Sequence, residues 1–384
     1  MQEITVKTRN GVSRPRYRPT WAEIDLKAIE HNYKQVRRLV GRSTCIMVVV
    51  KANAYGHGTV EVSSVLERCG ADYLGVATTD EAVRIRDHGI TTPILVLGSV
   101  LPGEVKAAID KNITLTLCND ELLEAVKSQA AQSSPLKAHI KVDTGMGRIG
   151  IWHEDALDFV KRVSAEKCIV LEGIYTHFSS AGRDDFITNY QIEAFEKLLS
   201  EIEKSWIRIP LRHAANSIAT VDFKRSHLNL VRPGLIIYGM YPKHTFPKLI
   251  KLKPALSLKT RIVYIKDTPP GRSISYGRTF ITQKHTKIAT LPIGYADGFF
   301  RNLSNRTEVL VRGQRVPVVG KVTMDQVMID VGHVKGVRIG DEVVIIGKQG
   351  MDEIRAEKMA RLAGTIAYEV VCSISNRVPR IYKY

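Results

Sequence analysis

Apolar and polar positions in this chain follow two successive rhythms. Up to about residue 250, short apolar runs alternate with segments whose apolar residues recur every three or four positions. The first pattern is that of strands buried on both faces, the second that of amphipathic helices. Strand-like runs fall near 46–51, 72–77, 93–98, 113–118, 138–143, 171–176, 209–214 and 230–238. Helical spacing fills most of the gaps, as from Asn189 to Glu203. A further helix is predicted through Val40, with Ile29, Tyr33, Val36 and Leu39 on one stripe and Asp25 as its cap. Eight strands alternating with helices predict a parallel (β/α)8 barrel. The count is eight only if the AEIDL strand at 22–26 lies outside it.

Beyond residue 250 the rhythm changes to short alternating strands at 256–267, 286–292, 307–312, 316–319, 326–331 and 341–346. Gly and Pro separate them, as in a compact β-domain. A helix from Ile354 to Gly364 and a β-rich tail from Tyr368 to Tyr382 complete it. The expected division is a basic tail over 1–19, a barrel over 20–250 and a mostly-β domain over 251–384. A chain of 384 residues exceeds the usual size of one core, so two domains are the natural expectation.

Composition narrows the class. With 44% hydrophobic and 25% charged residues the chain is an ordinary globular protein, and no apolar stretch nears the roughly 20 residues of a membrane span. The N-terminus is basic but lacks the apolar core of a secretory signal. Cys45, Cys69, Cys118, Cys168 and Cys372 are odd in number, and they read as reduced core thiols of a cytoplasmic protein. The net charge of +17 raises nucleic-acid binding, but the basic residues are spread along the chain without a recognised motif. Lys7, Arg9, Arg14, Arg16 and Arg18 form the densest patch, in a tail expected to be flexible or lightly docked. Neither nucleic acid, membrane nor metal is an expected partner.

Candidate chemistry gathers where the barrel strands end, which is where such barrels place their active sites. Lys51 ends the first apolar run and opens a turn bounded by Gly56 and Gly58. A lysine at that position is depressed in pKa by burial and can serve as a base or a Schiff-base nucleophile. Strand five ends in KVDTGMGRIG, with Lys141, Asp143 and Arg148. His177 follows strand six, and His213, Asn216 and Ser217 follow strand seven. Strand eight carries Arg232, Gly234 and Leu235. Ser217 with the amides of Gly234 and Leu235 makes a phosphate cradle on loops seven and eight, to which Tyr55 can add a hydroxyl. A Schiff-base lysine plus a phosphate site points to pyridoxal 5′-phosphate.

These residues lie in motifs that resemble the alanine racemase family from Thr20 to Tyr382: TWAEIDLKAIEHN, VVVKANAYGHG, KVDTGMGRIG, HAANS, VRPGLIIYG, SYGRTF, LPIGYADG, VTMDQ and NRVPRIY. The resemblance implies a fold-type III pyridoxal-phosphate enzyme: a (β/α)8 barrel plus a C-terminal β-domain whose sheet takes up the 22–26 strand. It implies L-alanine/D-alanine interconversion by two bases, with D-alanine destined for peptidoglycan. Lys51 would hold the cofactor as a Schiff base and serve the D-enantiomer, and Tyr276 would serve the L-enantiomer. A tyrosine base needs help, since its free pKa is about 10; positive charge and hydrogen bonds from His177 and Arg148 would supply it.

The resemblance assigns further roles. Arg232 would face the pyridine nitrogen, donating a hydrogen bond without giving up its proton. That limits the electron sink and favours proton return over transamination. Tyr55, Ser217, the amides of Gly234 and Leu235, and Tyr368 would hold the cofactor phosphate, with His177 and Asn216 as further cofactor-binding residues. Arg148 and the Met324 backbone would receive the substrate carboxylate. Lys141 matches a position carbamylated in many members, Tyr295 would narrow the entrance, and Asp325 would be a supporting residue. The active site would be shared in a homodimer, with Tyr276 and Met324 acting in trans. The chain departs from the family pattern in Thr323, where cysteine is common, in Asn376, and in its longer basic tail. The alternatives are a broad-specificity or serine racemase of the same fold, a basic amino-acid decarboxylase and a non-catalytic pyridoxal-phosphate carrier.

Overall fold

The computed structural model describes residues 4–7, 13–130, 134–242, 246 and 249–384. It divides into two compact units. One comprises Ile29–Ala54 and Thr59–Lys253, and the other Met1–Ala28, Tyr55–Gly58 and Pro254–Tyr384.

The first unit is the barrel. Its strands are Cys45–Val49, Tyr73–Val76, Ile94–Val96, Leu115–Leu117, Leu136–Asp143, Ile169–Tyr175, Leu211–His213 and Leu230–Val231. All neighbouring pairs are parallel, in the spatial order 3-2-1-8-7-6-5-4. The ring closes between strands three and four, where the Val96 amide donates to the Thr114 carbonyl (3.0 Å) and the Thr114 amide to the Ile94 carbonyl (2.9 Å). Met47, Leu95, Tyr175 and Leu230 pack together inside the barrel. Helices from Thr59–Arg68 to the long Asp185–Lys204 connect the strands. No helix among the described residues is long and apolar enough to cross a membrane.

The second unit is mostly β. Thr20–Asp25 lies in its largest sheet, antiparallel to Leu256–Arg261 and parallel to Arg380–Lys383. Along Leu256–Arg261 the buried and half-buried positions alternate strictly, the period of a sheet with one covered face. A three-stranded sheet joins Tyr264–Thr268, Thr286–Leu291 and Val327–Asp330. The Asp25 side chain caps the Leu26–Val40 helix, accepting from the Ala28 amide at 2.9 Å.

Several expectations need correction. The apolar run at 230–238 is a strand only to Val231; Pro233 and Gly234 break it, and Leu235–Tyr238 is a buried 3-10 turn. The 256–267 run is two strands in two different sheets. The tail after Tyr368 is not β-rich: Ala367–Cys372 is helical, burying Ala367, Val370 and Val371 at helical spacing, and only Arg380–Lys383 is a strand. Within the basic tail, Ile4–Lys7 and Ser13–Arg16 pair as antiparallel strands. Arg9, in the same patch, lies outside the described residues. The five cysteines are free, but only Cys118 is buried and Cys372 is exposed, so they are not core thiols as a group.

Candidate active site

The first barrel strand delivers Lys51 into an unusual turn. Ala52, Asn53, Ala54 and Tyr55 have φ of 52°, 54°, 52° and 53°, one turn of left-handed helix built without glycine. Each such residue costs about 1–2 kcal/mol, so the turn stores roughly 4–8 kcal/mol that the surroundings must offset. Several bonds do so within the barrel unit. The Ala54 amide donates to the Val50 carbonyl (2.9 Å), and the Ala52 amide to Glu81 Oε1 (2.6 Å). Asn53 Oδ1 accepts from the Thr59 amide (3.1 Å), capping the Thr59–Arg68 helix. The Tyr238 hydroxyl donates to the Val49 carbonyl at 2.8 Å, pinning the strand just upstream.

Strand five carries Lys141 inward, buried, with Nζ donating to the Val142 carbonyl at 2.7 Å and lying 5.4 Å from the Tyr175 ring centroid. Burial, then the charges of Arg232 and Arg148, depress its pKa to about 7 against the pull of Asp143. In the turn that follows, Asp143 accepts from the amides of Gly145 (2.8 Å), Met146 (2.8 Å) and Arg148 (3.2 Å). Burial pushes this carboxyl up, but the backbone donors outweigh it and hold it below the usual range. The turn also needs Gly150, at φ +123°, where a Cβ would come within 2.9 Å of the Asp143 nitrogen.

Arg232, buried just past the end of strand eight, organises the barrel mouth. Its Nη2 donates to the carbonyls of Thr176 (2.7 Å) and Ala214 (2.9 Å) and approaches His177 Nδ1 at 3.4 Å. Its Nη1 donates to His213 Nδ1 at 2.8 Å. That fixes a tautomer chain, because an accepting Nδ1 leaves His213 Nε2 protonated. His213 Nε2 then donates to His139 Nδ1 at 2.8 Å, leaving the proton of His139 on a buried Nε2 with no partner among the described residues. Burial first, then Arg232, lowers His139 to about 3 and His213 well below its usual range, so both rings are neutral. His177 is likewise held well below its usual range by burial and then by Arg232, Arg148, Lys141 and Lys51. Burial lowers Arg232 itself to about 10, which leaves it charged near neutrality, and its Nε–H meets no acceptor among the described residues.

Ser217 and Gly234 come together as expected: the Gly234 amide donates to Ser217 Oγ at 2.9 Å, where the Ser217–Asp222 helix and the Leu235–Tyr238 turn begin. Asn216 stands at the N-terminus of that helix. Its Oδ1 caps the helix, accepting from the Ile218 and Ala219 amides at 3.0 Å each. The residues fit a phosphorylated pyridine aldehyde: an amine on a fixed turn, a hydroxyl–amide pair at two converging helical starts, and an arginine donor to spare.

The remaining candidates belong to the other unit. Tyr276 sits at the tip of the hairpin formed by Ser273–Ile274 and Phe280–Ile281 and is 73% exposed. Tyr55 and Tyr368 have ring centroids 5.9 Å apart. Burial pushes Tyr368 up to about 12; burial, then Tyr368 and Cys372, push Tyr55 up as well, so both stay hydroxyl donors. Tyr295 and Met324 lie on touching loops. The Tyr295 amide donates to the Thr323 carbonyl (3.0 Å) and the Ala296 amide to the Met324 carbonyl (3.1 Å). Contact is so close at Gly294 that a Cβ would lie 2.3 Å from both carbonyl oxygens. Asp325 pairs with Arg377 at 2.7 Å.

Sequence reasoning missed the groups that hold these loops. Asp297 is fully buried, accepts from the Gly294 amide (2.9 Å) and takes both Arg18 nitrogens, at 2.6 and 2.5 Å. Arg377 Nε lies 3.6 Å from the same carboxylate. Arg18 falls in the tail expected to be flexible or lightly docked, and an arginine 279 positions away offers no local signal of its partner. Glu81 was missed because its role depends on backbone geometry at another loop.

Comparison with known proteins matches residues 24–242 to the family model "Alanine racemase, N-terminal domain" and residues 255–382 to "Alanine racemase, C-terminal domain". The chain is 48% identical over 368 residues to an alanine racemase of Halothermothrix orenii, covering 95% of this chain and 97% of that protein. It is 48% identical to one of Methanococcus maripaludis, covering 95% and 98%. Among solved structures, alanine racemase of Clostridium difficile 630 superposes with a TM-score of 0.90 at 38% identity, covering 95% and 96%. The alanine racemase of Bacillus anthracis with bound L-Ala-P does so with 0.90 at 40%, covering 97% and 96%.

Proposed function

We propose a division of labour for this site from one premise: the chain belongs to the alanine racemase family and interconverts L-alanine and D-alanine. The observation that carries the assignment of roles is the barrel mouth itself, where Lys51, Arg232 and the Ser217–Gly234 pair end strands one, seven and eight. Lys51 would hold pyridoxal 5′-phosphate, with the phosphate taken by Ser217, the amides of Gly234 and Leu235, and the hydroxyls of Tyr55 and Tyr368. When bound, the cofactor supplies an electron sink that acidifies the α C–H bond of the amino acid.

This chain's residues do the rest. Lys51 Nζ takes the α-proton of D-alanine on one face, and the Tyr276 hydroxyl oxygen takes that of L-alanine on the other. Arg232 would offer its Nε–H to the ring nitrogen and, charged near neutrality, would keep its proton. The neutral His213 ring, itself bonded to His139, accepts from Arg232 Nη1 and helps fix the guanidinium. Arg148, in the turn set by Asp143, receives the substrate carboxylate together with the Met324 backbone. Lys141, half deprotonated near pH 7 and crowded by Arg232 and Arg148, is a good nucleophile for carbon dioxide. A carbamate there would convert a repelled cation into an anionic partner for Arg148.

Tyr276 and Met324, at 73% and 53% exposure, and Tyr295 at 43%, are large side chains left open in a single chain. Their exposure supports a homodimer in which Tyr276 and Met324 complete the partner's barrel. Free cysteines support a reducing cytoplasmic setting, where D-alanine is made for peptidoglycan.

The test is purified protein with each alanine enantiomer, with serine and lysine as competitors, followed by optical rotation. Racemisation of both enantiomers at matched equilibrium is expected. Turnover of serine with alanine inert would overturn the substrate assignment and leave the two-base scheme standing.

A further inference from the structure

Strands one and two of the barrel are joined by regular backbone bonds up to Val50, whose amide donates to the Gly75 carbonyl at 2.8 Å. Two residues later the ladder fails, because the chain at Ala52 swings into the left-handed turn. Two amides are stranded by that divergence, Ala52 beside Lys51 and Ala77 at the end of strand two. A single side chain takes both. Glu81 Oε1 accepts from the Ala52 amide at 2.6 Å and Oε2 from the Ala77 amide at 2.8 Å. The carboxylate is thus a side-chain rung that continues the sheet past the point where backbone pairing stops.

Its own placement is fixed. Glu81 lies in the first turn of the Thr79–Arg86 helix, where an anion is favoured, and its amide is capped by Thr78 Oγ1 at 3.3 Å. Charge-assisted bonds to backbone amides are short and directional, so the peptide plane that follows Lys51 is set by an element outside its own loop. No described acceptor other than Glu81 takes the Ala52 amide.

We infer that Glu81 is a positioning residue for the catalytic amine: its two-amide clamp orients the Lys51–Ala52 peptide and thereby aims Lys51 Nζ at the α-carbon face from which D-alanine loses its proton. This rests on the reading of Lys51 as cofactor lysine and base. A loop anchor with no such aim would affect folding or cofactor retention alone.

The experiment uses holoenzyme of Glu81→Gln and Glu81→Asp. Glutamine keeps the shape but turns an NH2 toward one amide, and aspartate is too short to reach both. The measurements are cofactor absorbance, borohydride-reducible lysine, kcat and KM in both directions, and primary isotope effects with α-deuterated D- and L-alanine. The expected result is retained cofactor and a kcat lower by roughly 10- to 100-fold with KM little changed, the scale of a small misplacement of a reacting group. The isotope effect should rise for deuterated D-alanine, whose deuteron Lys51 removes, and not for L-alanine. Unchanged isotope effects, or activity lost only in step with cofactor or folded protein, overturn the proposal. If neither variant folds, the carboxylate is a folding element and the proposal is equally overturned. A wild-type enzyme lacking a reducible adduct at Lys51 would instead overturn the underlying reading.

Discussion

Replacing Arg18 by alanine would leave Asp297 fully buried with its strongest partner gone. The carboxylate now takes two guanidinium nitrogens, at 2.6 and 2.5 Å, and the Gly294 amide at 2.9 Å, with Arg377 Nε more distant at 3.6 Å. Removing one member of a buried ion pair typically costs about 3–5 kcal/mol, since the other charge is stranded. Two features reduce this: the Arg18 side chain is 29% exposed, so water already screens it, and Arg377 can draw closer. The expected loss is about 2–3 kcal/mol. Asp297→Asn should cost less, and the double variant Arg18→Ala/Asp297→Asn should cost less than the sum, by roughly 1–2 kcal/mol. Urea unfolding of the four proteins, followed by tryptophan fluorescence, measures this cycle. Because the Gly294 turn holds the Thr323 and Met324 carbonyls, KM for alanine should rise with the same substitution. An additive cycle, or an Arg18→Ala loss under about 0.5 kcal/mol, would refute the claim that this pair anchors the loop.

Gly294→Ala keeps an allowed extended backbone but drives a methyl to 2.3 Å from two carbonyl oxygens, so the Met324 loop must move; KM should rise by about tenfold with the barrel's cofactor absorbance intact, read by steady-state kinetics. Lys141 gives a pH signature in carbon dioxide-free buffer. Its folded pKa of about 7 lies below the ordinary 10.5, so between those values the unfolded chain binds a proton the folded one does not, and stability rises with pH across that window. Lys141→Met should abolish that rise, and parallel stability–pH curves for the two proteins would contradict it. Tyr276→Phe should suppress proton abstraction from L-alanine most directly; solvent-deuterium incorporation starting from each enantiomer shows whether the loss is one-sided. Lys51→Ala should lose the visible cofactor band and the borohydride-stable lysine adduct, and a persisting adduct would sink the Schiff-base assignment.

What could be read beforehand follows from what local rules encode. The eight barrel strands were visible because doubly buried parallel strands are continuous apolar runs, and the C-terminal strands because one covered face imposes a period of two. The same rule misled at Leu235–Tyr238, equally apolar but cut off from the strand by Pro233–Gly234. It misled again at Ala367–Cys372, six residues too short to display a helical period against a strand background. The motif around Lys51 located the amine, yet Ala-Asn-Ala-Tyr gives no hint of positive φ, which is normally glycine's territory. Arg18, Asp297 and Glu81 act across loops and could be recognised only once the backbone had brought them together.

The turn after Lys51 has a stereochemical consequence. Its backbone lies in the region that D-residues occupy as readily as L-residues occupy the right-handed helix. At Ala52, whose side chain is exposed, a D-alanine introduced by peptide ligation would relieve about 1–2 kcal/mol of strain without altering the chain's path. An enzyme that makes D-alanine therefore carries, one residue beyond its catalytic lysine, a position where its own product is the better-fitting hand.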